Sequence, residues 1–218
     1  MSKKLLIFPF GGNAKESLLS ILAINDRRQE WDIVGFIDDD HSALGKEYYG
    51  IKVIGGREVL QEIPDTSVLA VPGSPNNYLR RRDIINSLNI EISRFATIIH
   101  PSVVTAPDSK IGYNTLVMPY SVISCAVKIG NHCIILPNSV IAHDSTVRDY
   151  CCIGSNVSVS GNVTIGSGCY IGSGVKIREN ISIGERTLVG LGSNVISDIE
   201  ECVIAVGNPA RVLRKSIS

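Results

Sequence analysis

From Ile111 to Val195 every sixth residue of the chain is Ile or Val, fifteen positions in a row without an exception. Four residues after each stands a small or β-branched residue, from Thr115 and Ser121 through to Ile199. The residues between are mostly polar. A period of six is neither the 3.6 of a helix nor the two of a half-buried strand. It is the period of a hexapeptide-repeat parallel β-helix, where three hexads close one triangular coil, Ile and Val fill the interior and polar residues turn the corners. Fifteen hexads predict five coils; at a strand spacing of about 4.8 Å the prism is roughly 24 Å tall. The spacing does not give the hand of the coil. Cys133, Cys151 and Cys169 are eighteen residues apart, so they form a ladder of compact apolar side chains inside the prism.

Before residue 98 the pattern is different. Three apolar runs, "KLLIFPF", "WDIVGFIDDD" and "SVLAVPGS", alternate with the helically spaced "AKESLLSILAIN" and "NNYLRRRDIINSLN". In the second of these Leu79, Ile84, Ile85 and Leu88 point inward and Arg80 to Arg82 are mostly solvated. Strands alternating with helices predict a small parallel sheet of the doubly wound, Rossmann-like kind, with ligands at the carboxyl ends of its strands. The expected organisation is an α/β domain over residues 1–97, then a β-helix with a short C-terminal cap over residues 98–218.

Composition narrows the class of partner. Lys plus Arg (21) balance Asp plus Glu (21), so no broad field draws the chain to nucleic acid or anionic lipid. Leu5 to Phe10 is too short for a signal-peptide core and no apolar stretch has the length to span a bilayer, which predicts a cytoplasmic protein without membrane insertion. The six cysteines include no C-x-x-C spacing and are expected as free thiols. The partner is then a small molecule or another copy of the chain.

The stretch "NSVIAHDSTV" interrupts the small polar residues with His143 and Asp144, at the third and fourth places of the hexad that starts at Ile141. These places belong to a corner, so both side chains can face outward. An isolated histidine there is most simply a solvated turn residue. Its neighbours in the stack change that reading: one coil earlier stands Cys125 and one coil later Gly161. A glycine there leaves a notch beside the imidazole and an amide N–H that a ligand can approach. Asp144 can orient the ring. A base, an acid partner and an open amide donor are the parts acyl transfer needs.

The segments "LLIFPFGGNAKE", "VGFIDDD", "TIIHPSV", "VMPYSVIS", "SVIAHD", "SGNVTIG" and "VGNPARVL", in this order along nearly the whole chain, resemble the sialic-acid O-acetyltransferase and bacillosamine N-acetyltransferase family of nucleotide-sugar acetyltransferases. The resemblance implies a left-handed β-helix and a homotrimer with acetyl-CoA lying between adjacent prisms. It implies His143 as general base, Asp144 as its support and the Gly161 amide on the acetyl carbonyl, with Cys152, Ser173 and Leu191 contacting the coenzyme. The chain departs from the family's usual pattern at Cys152, where a second histidine often stands, and at Leu136-Pro137, where an Asn-Thr pair usually precedes the catalytic histidine.

In the N-terminal part, "FPFGGNAKE" lets Gly11, Gly12 and Asn13 present amides and a helix N-terminus to a diphosphate. Pro9 occupies the place of an earlier glycine and speaks against NAD. The resemblance makes this loop the holder of a nucleotide sugar, helped by Asp38, Asp39 and Gly73; read without it, "DDD" is a solvated strand end and Gly73 a plain turn. No metal is expected: His132 and His143, eleven residues apart, lie on different corners, unlike the three imidazoles of a gamma carbonic anhydrase. The implied activity is acetyl transfer from acetyl-CoA to a nucleotide-linked amino sugar, with the 4-amino group of a dideoxy sugar as acceptor, for surface glycan synthesis. Alternatives are O-acetylation of a sialic-acid-like sugar and a non-catalytic sugar-binding solenoid.

Overall fold

The computed structural model describes residues 2–216. Its N-terminal part is a three-stranded parallel sheet in the order β2-β1-β5, with β1 at Lys3–Phe8, β2 at Trp31–Phe36 and β5 at Ser67–Ala70. Helix α1, Gly12–Arg27, follows β1 directly and buries Ala14, Ser17, Leu18 and Ile21, a stripe at spacings of three and four. The helix stops at Arg28, which is extended. Asn25 then bonds both the amide and the carbonyl of Trp31 (2.9 and 2.8 Å) and turns the chain into β2. Between β2 and β5 lie a hairpin, β3 (Glu47–Tyr48) with β4 (Ile51–Lys52), and a short helix, α2 (Val59–Glu62), that the apolar pattern does not reveal. After β5 a 3₁₀ turn over Tyr78–Arg80 runs into helix α3, Arg81–Asn86.

From Ile98 to Ala205 the chain is a parallel solenoid of about six turns, against the five expected. The extra turn contains the two-residue strands Ile98–Ile99 and Val104–Thr105, which pair with Leu116–Val117 and Val122–Ile123. Thr105 stands where the six-residue series asks for Ile or Val, so the series breaks there while the backbone continues. Every pairing advances by eighteen residues, as in Val122↔Val140↔Ser158↔Lys176↔Asn194. The last turn is two residues shorter, Leu188 pairing with Ile204, and the hairpin Val203–Gly207 with Ala210–Lys215 closes that end. The Ile and Val series forms one buried core with Cys133, Cys151 and Cys169 inside it, each thiol directed at a backbone carbonyl of the next turn.

From Asn114 (φ 50°) through Asp144 (60°) to Gly192 (68°) the fourth place of each hexad adopts positive φ. Asn, Asp and Gly hold this left-handed conformation at least cost, and they occupy most of these places. The corner is therefore encoded by the backbone, and the third place, just before it, is free to vary.

The outward position of each strand identifies the three faces. On one face the outward ladder is Ile98, Leu116, Ile134, Cys152, Tyr170 and Leu188, whereas the second shows Val104, Val122, Val140, Ser158, Lys176 and Asn194, and the third Lys110, Lys128, Thr146, Thr164 and Ser182. The apolar ladder is where the α/β part docks. Ile98, Leu116, Ile134 and Cys152 are buried in one cluster with Leu18, Ile21 and Val71. Each large aliphatic side chain buried there contributes about 1.5–3 kcal/mol.

Polar contacts fix the register of the docking. The Asn114 side chain bonds the amide and the carbonyl of Ala70 at the end of β5 (2.8 and 3.0 Å). Arg81, expected in solvent, is fully buried and donates to the His132 carbonyl at 2.6 Å, while its Nε and Nη1 find no partner among the described residues. Tyr78, Arg81, Ile85 and Leu88 are the buried residues of this segment, a helical stripe that has an arginine in it. His132 is likewise buried, its ring stacked on Tyr150 with centroids 4.7 Å apart and Nδ1 2.9 Å from the Asn114 amide. Burial, aided by Arg81, lowers its pKa to about 4 and keeps it neutral.

Candidate active site

His143 reaches the surface at the corner between the second and third faces, because its place in the hexad precedes the left-handed residue Asp144. Its Nδ1 lies 2.9 Å from an oxygen of Asp144, and the two side chains are 61% and 63% exposed in the single chain. With the carboxylate ionised, the Nδ1 proton is held there and the lone pair of Nε2 points away from the pair. One coil on, Gly161 lies against the ring. A Cβ at residue 161 would sit 2.5 Å from Cε1 and 2.6 Å from Nε2 of His143, so no other residue type fits while the ring stays in place. The Gly161 carbonyl accepts from Asn180 in the coil ladder, and its amide N–H has no acceptor among the described residues. A free donor and an imidazole nitrogen therefore share one notch. Cys125, one coil before, is an exposed thiol on the opposite side of the ring from Gly161.

The other predicted residues gather elsewhere. Gly11 is extended and caps α1 without a side-chain bond, which leaves the first amides of the helix open. Asn13 uses its side chain to bond the carbonyls of Val71 and Gly73 (3.3 and 3.0 Å) and so joins the loops after β1 and β5. Gly73 is more than a turn residue. A Cβ there would stand 2.5 Å from the Asn13 amide nitrogen, 2.9 Å from Ile134 and 3.1 Å from the Cys152 sulfur.

The two acids after β2 have separate tasks. Asp38 accepts from the Phe10 amide (2.9 Å) and shapes the first loop, while Asp39 pairs with Arg57, whose guanidinium holds its carboxyl below the usual range. Lys15, one turn into α1, lies over Phe10 at 4.5 Å and near Tyr48 at 5.8 Å, beside the same loops. The spacing of "GGNAK" contains that lysine, although the sequence reading does not single it out.

Cys152 belongs to the docked apolar ladder and is 5% exposed, and burial raises its thiol pKa. In one chain it faces Gly73 and is nine residues and one corner away from His143. Ser173 and Leu191 lie one above the other on the corner that joins the docked face to the second face. Ser173 accepts from the Ser155 amide (3.2 Å) and Leu191 is 83% exposed. The predicted residues thus form two groups in the monomer. One is His143, Asp144 and Gly161; the other is the loop residues with Cys152 against Gly73, while Ser173 and Leu191 stand apart on their own corner. His100 is tied to Ser102 (2.7 Å) and His41 sits in an exposed turn, so neither adds to either group. No three His, Cys, Asp or Glu side chains converge as a metal site among the described residues, and no helix is long and apolar enough to cross a membrane.

Comparison with known proteins adds the following. The family profile of the GMPPB C-terminal domain matches residues 94–193. A comparison with curated protein sequences found no match. Among solved structures the chain is similar to the acetyltransferase domain of PglB from Neisseria gonorrhoeae in complex with acetyl coenzyme A, at 25% identity and TM-score 0.84, over 98% of this chain and 100% of that one. It is similar to a His-to-Asn variant of perosamine N-acetyltransferase from Caulobacter crescentus in complex with CoA and GDP-perosamine, at 23% identity and TM-score 0.84, over 97% of both chains. WeeI from Acinetobacter baumannii matches at 22% identity and TM-score 0.79, over 98% and 100%. From its first strand to its closing hairpin the chain has the architecture of the acetyl-CoA-dependent hexapeptide β-helix sugar acetyltransferases, the family that its sequence resembles.

Proposed function

We propose that this chain transfers an acetyl group from acetyl-CoA to the amino group of a nucleotide-linked sugar, in a direct reaction at the His143–Gly161 notch, for surface glycan synthesis. The observation that carries the proposal is the position of an oriented imidazole against an unpartnered backbone amide. The acceptor amine attacks the thioester carbonyl carbon and gives its proton to Nε2 of His143, while Asp144 steadies the imidazolium through Nδ1. The carbonyl oxygen gains negative charge in the tetrahedral intermediate, and the Gly161 N–H donates to it. The carbon–sulfur bond then breaks and the leaving thiolate takes the proton from His143. No protein group is acylated, so both substrates are bound together. Acetyl-CoA and the nucleotide sugar are substrates, and the solved neighbours whose descriptions mention CoA, acetyl coenzyme A and GDP-perosamine support that assignment.

The two groups of residues lie on different corners, so one chain alone does not place a sugar held by Gly11, Gly12, Asn13, Asp38, Asp39 and Gly73 over its own His143. A homotrimer resolves this, each site taking His143, Asp144 and Gly161 from one protomer and the loops, Cys152, Ser173 and Leu191 from its partner. The face between the two corners suits such an interface. Its outward ladder begins with exposed Val104 and Val140, and Tyr120 is 68% exposed beside them. Of the acceptors, an amine on carbon 4 of a dideoxy sugar fits best the neighbour complexed with GDP-perosamine.

The test is release of free CoA thiol from acetyl-CoA with a panel of acceptors. A nucleotide-linked 4-amino sugar should give turnover at least about a hundredfold above the rate without acceptor. Turnover confined to hydroxyl acceptors moves the reading to O-acetylation, and none with any acceptor leaves a sugar-binding solenoid.

A further inference from the structure

A cavity lies on the docked face, beyond Gly73 along the stack, where the 3₁₀ turn over Tyr78–Arg80 meets the closing hairpin. Its volume is about 390 Å³. Leu188 and Ile204, the last outward residues of the apolar ladder, form its floor, and the ring of Tyr78 forms one wall. Arg80 and Arg214 line it with Pro75, Asn76 and Ser216, and no acidic side chain lines it among the described residues. Neither arginine forms a salt bridge among the described residues, although each lies within a chain of balanced charge. The Tyr78 hydroxyl is buried and has no hydrogen-bond partner among the described residues, although Ser216 and Arg214 are close to it. A buried hydroxyl left without a partner is costly, and a ligand that supplies one recovers that cost.

Two unpaired guanidinium groups over an apolar floor have a definite complement. Guanidinium donors match the paired oxygens of a phosphate or carboxylate, and the Leu188–Ile204 floor with the tyrosine ring takes a flat apolar body. We propose that this cavity is a second small-molecule site, for an organic anion in which a phosphate or carboxylate is joined to a planar apolar group. It shares no lining residue with the acetyl-transfer notch, and it touches the loop after β5 only through Pro75 and Asn76, beyond Gly73. It stands on the seam between the α/β part and the solenoid, and its occupant bridges the two: Tyr78 and Arg80 come from one, Leu188, Ile204 and Arg214 from the other.

Phenyl phosphate, benzoate, inorganic phosphate and benzyl alcohol are suitable probes, because none carries the nucleoside or sugar of the proposed substrates. Titrations of the full-length protein, followed by saturation-transfer NMR and calorimetry, should show phenyl phosphate or benzoate binding at least about tenfold more tightly than inorganic phosphate or benzyl alcohol. The double variant Arg80→Ala/Arg214→Ala should weaken that binding about tenfold or more, and Tyr78→Phe about threefold. His143→Ala, at the notch on another corner, should leave it unchanged, so the outcome is independent of whether the acetyl-transfer reading holds. The proposal is overturned if the aromatic anions bind no better than phosphate, or if the double variant, folded as judged by circular dichroism, binds them as well as the parent does.

Discussion

On the proposed mechanism, replacing His143 with alanine is expected to lower kcat for acetyl transfer by about 10²- to 10⁴-fold, equivalent to about 3–5 kcal/mol of transition-state stabilisation. The acceptor amine must lose its proton as it attacks, and no other base in the notch takes the place of Nε2: Asp144 points at Nδ1, and Cys125 lies on the far side of the ring. The loss should fall on kcat rather than on the KM for acetyl-CoA, because in the proposed reaction the imidazole acts only at the reacting centre. Stability should hardly change, within about 0.5 kcal/mol, since the side chain is mostly exposed and its hydrogen bond to Asp144 lies at the surface. Steady-state kinetics with the best acceptor, alongside thermal melting, separates these effects. A kcat within threefold of the parent's removes His143 from the reaction.

Gly161→Ala is expected to reduce turnover by about a hundredfold or more, again with a small cost in stability. The added methyl meets the imidazole at 2.5 to 2.6 Å, so the ring has to swing away, and the ring is the mobile partner in that contact. Nε2 then leaves the position beside the amide, and the methyl occupies the approach to the N–H. Gly154 is the contrasting case. A Cβ there meets the Ser173 amide nitrogen at 2.5 Å and the Gly172 carbonyl carbon at 2.8 Å, backbone that cannot move aside. Gly154→Ala should therefore lower the melting temperature much more than Gly161→Ala does, while Gly161→Ala should lose more activity per folded molecule. Equal behaviour of the two variants in both measurements would mean that Gly161 is only a structural glycine.

The solenoid was legible because its core repeats one instruction. Ile or Val at every sixth residue and a left-handed residue three places later specify the coil, and His143 stood out as a titratable side chain at the variable place before that turn. The first turn was missed because Thr105 breaks the series where the core meets its end. The orientation of the faces was present in the sequence at a longer period. Ile98, Leu116, Ile134, Cys152, Tyr170 and Leu188 recur every eighteen residues and mark the face that must be covered.

Cys152, which the resemblance implies as a coenzyme contact, is also a member of that covered ladder. Composition alone puts Arg81 in solvent with Arg80 and Arg82, yet Tyr78, Arg81, Ile85 and Leu88 have helical spacing, and the stripe carries the arginine inward with them. What the sequence could not show is the approach of the two loops after β1 and β5, where Asn13 and Gly73 meet Cys152. That contact depends on the docking of two units far apart in the chain.

The central claim is that the acetyl carbonyl and the acceptor amine meet between Gly161 and His143. A crystal structure of the His143→Ala variant with acetyl-CoA and GDP-perosamine tests it most directly. The account predicts the thioester oxygen about 3 Å from the Gly161 amide nitrogen, with the sugar amine in the space left by the imidazole and the nucleotide on the Gly11 and Gly73 loops of a neighbouring protomer. A thioester bound away from that corner, with the Gly161 amide still open to water, would contradict it.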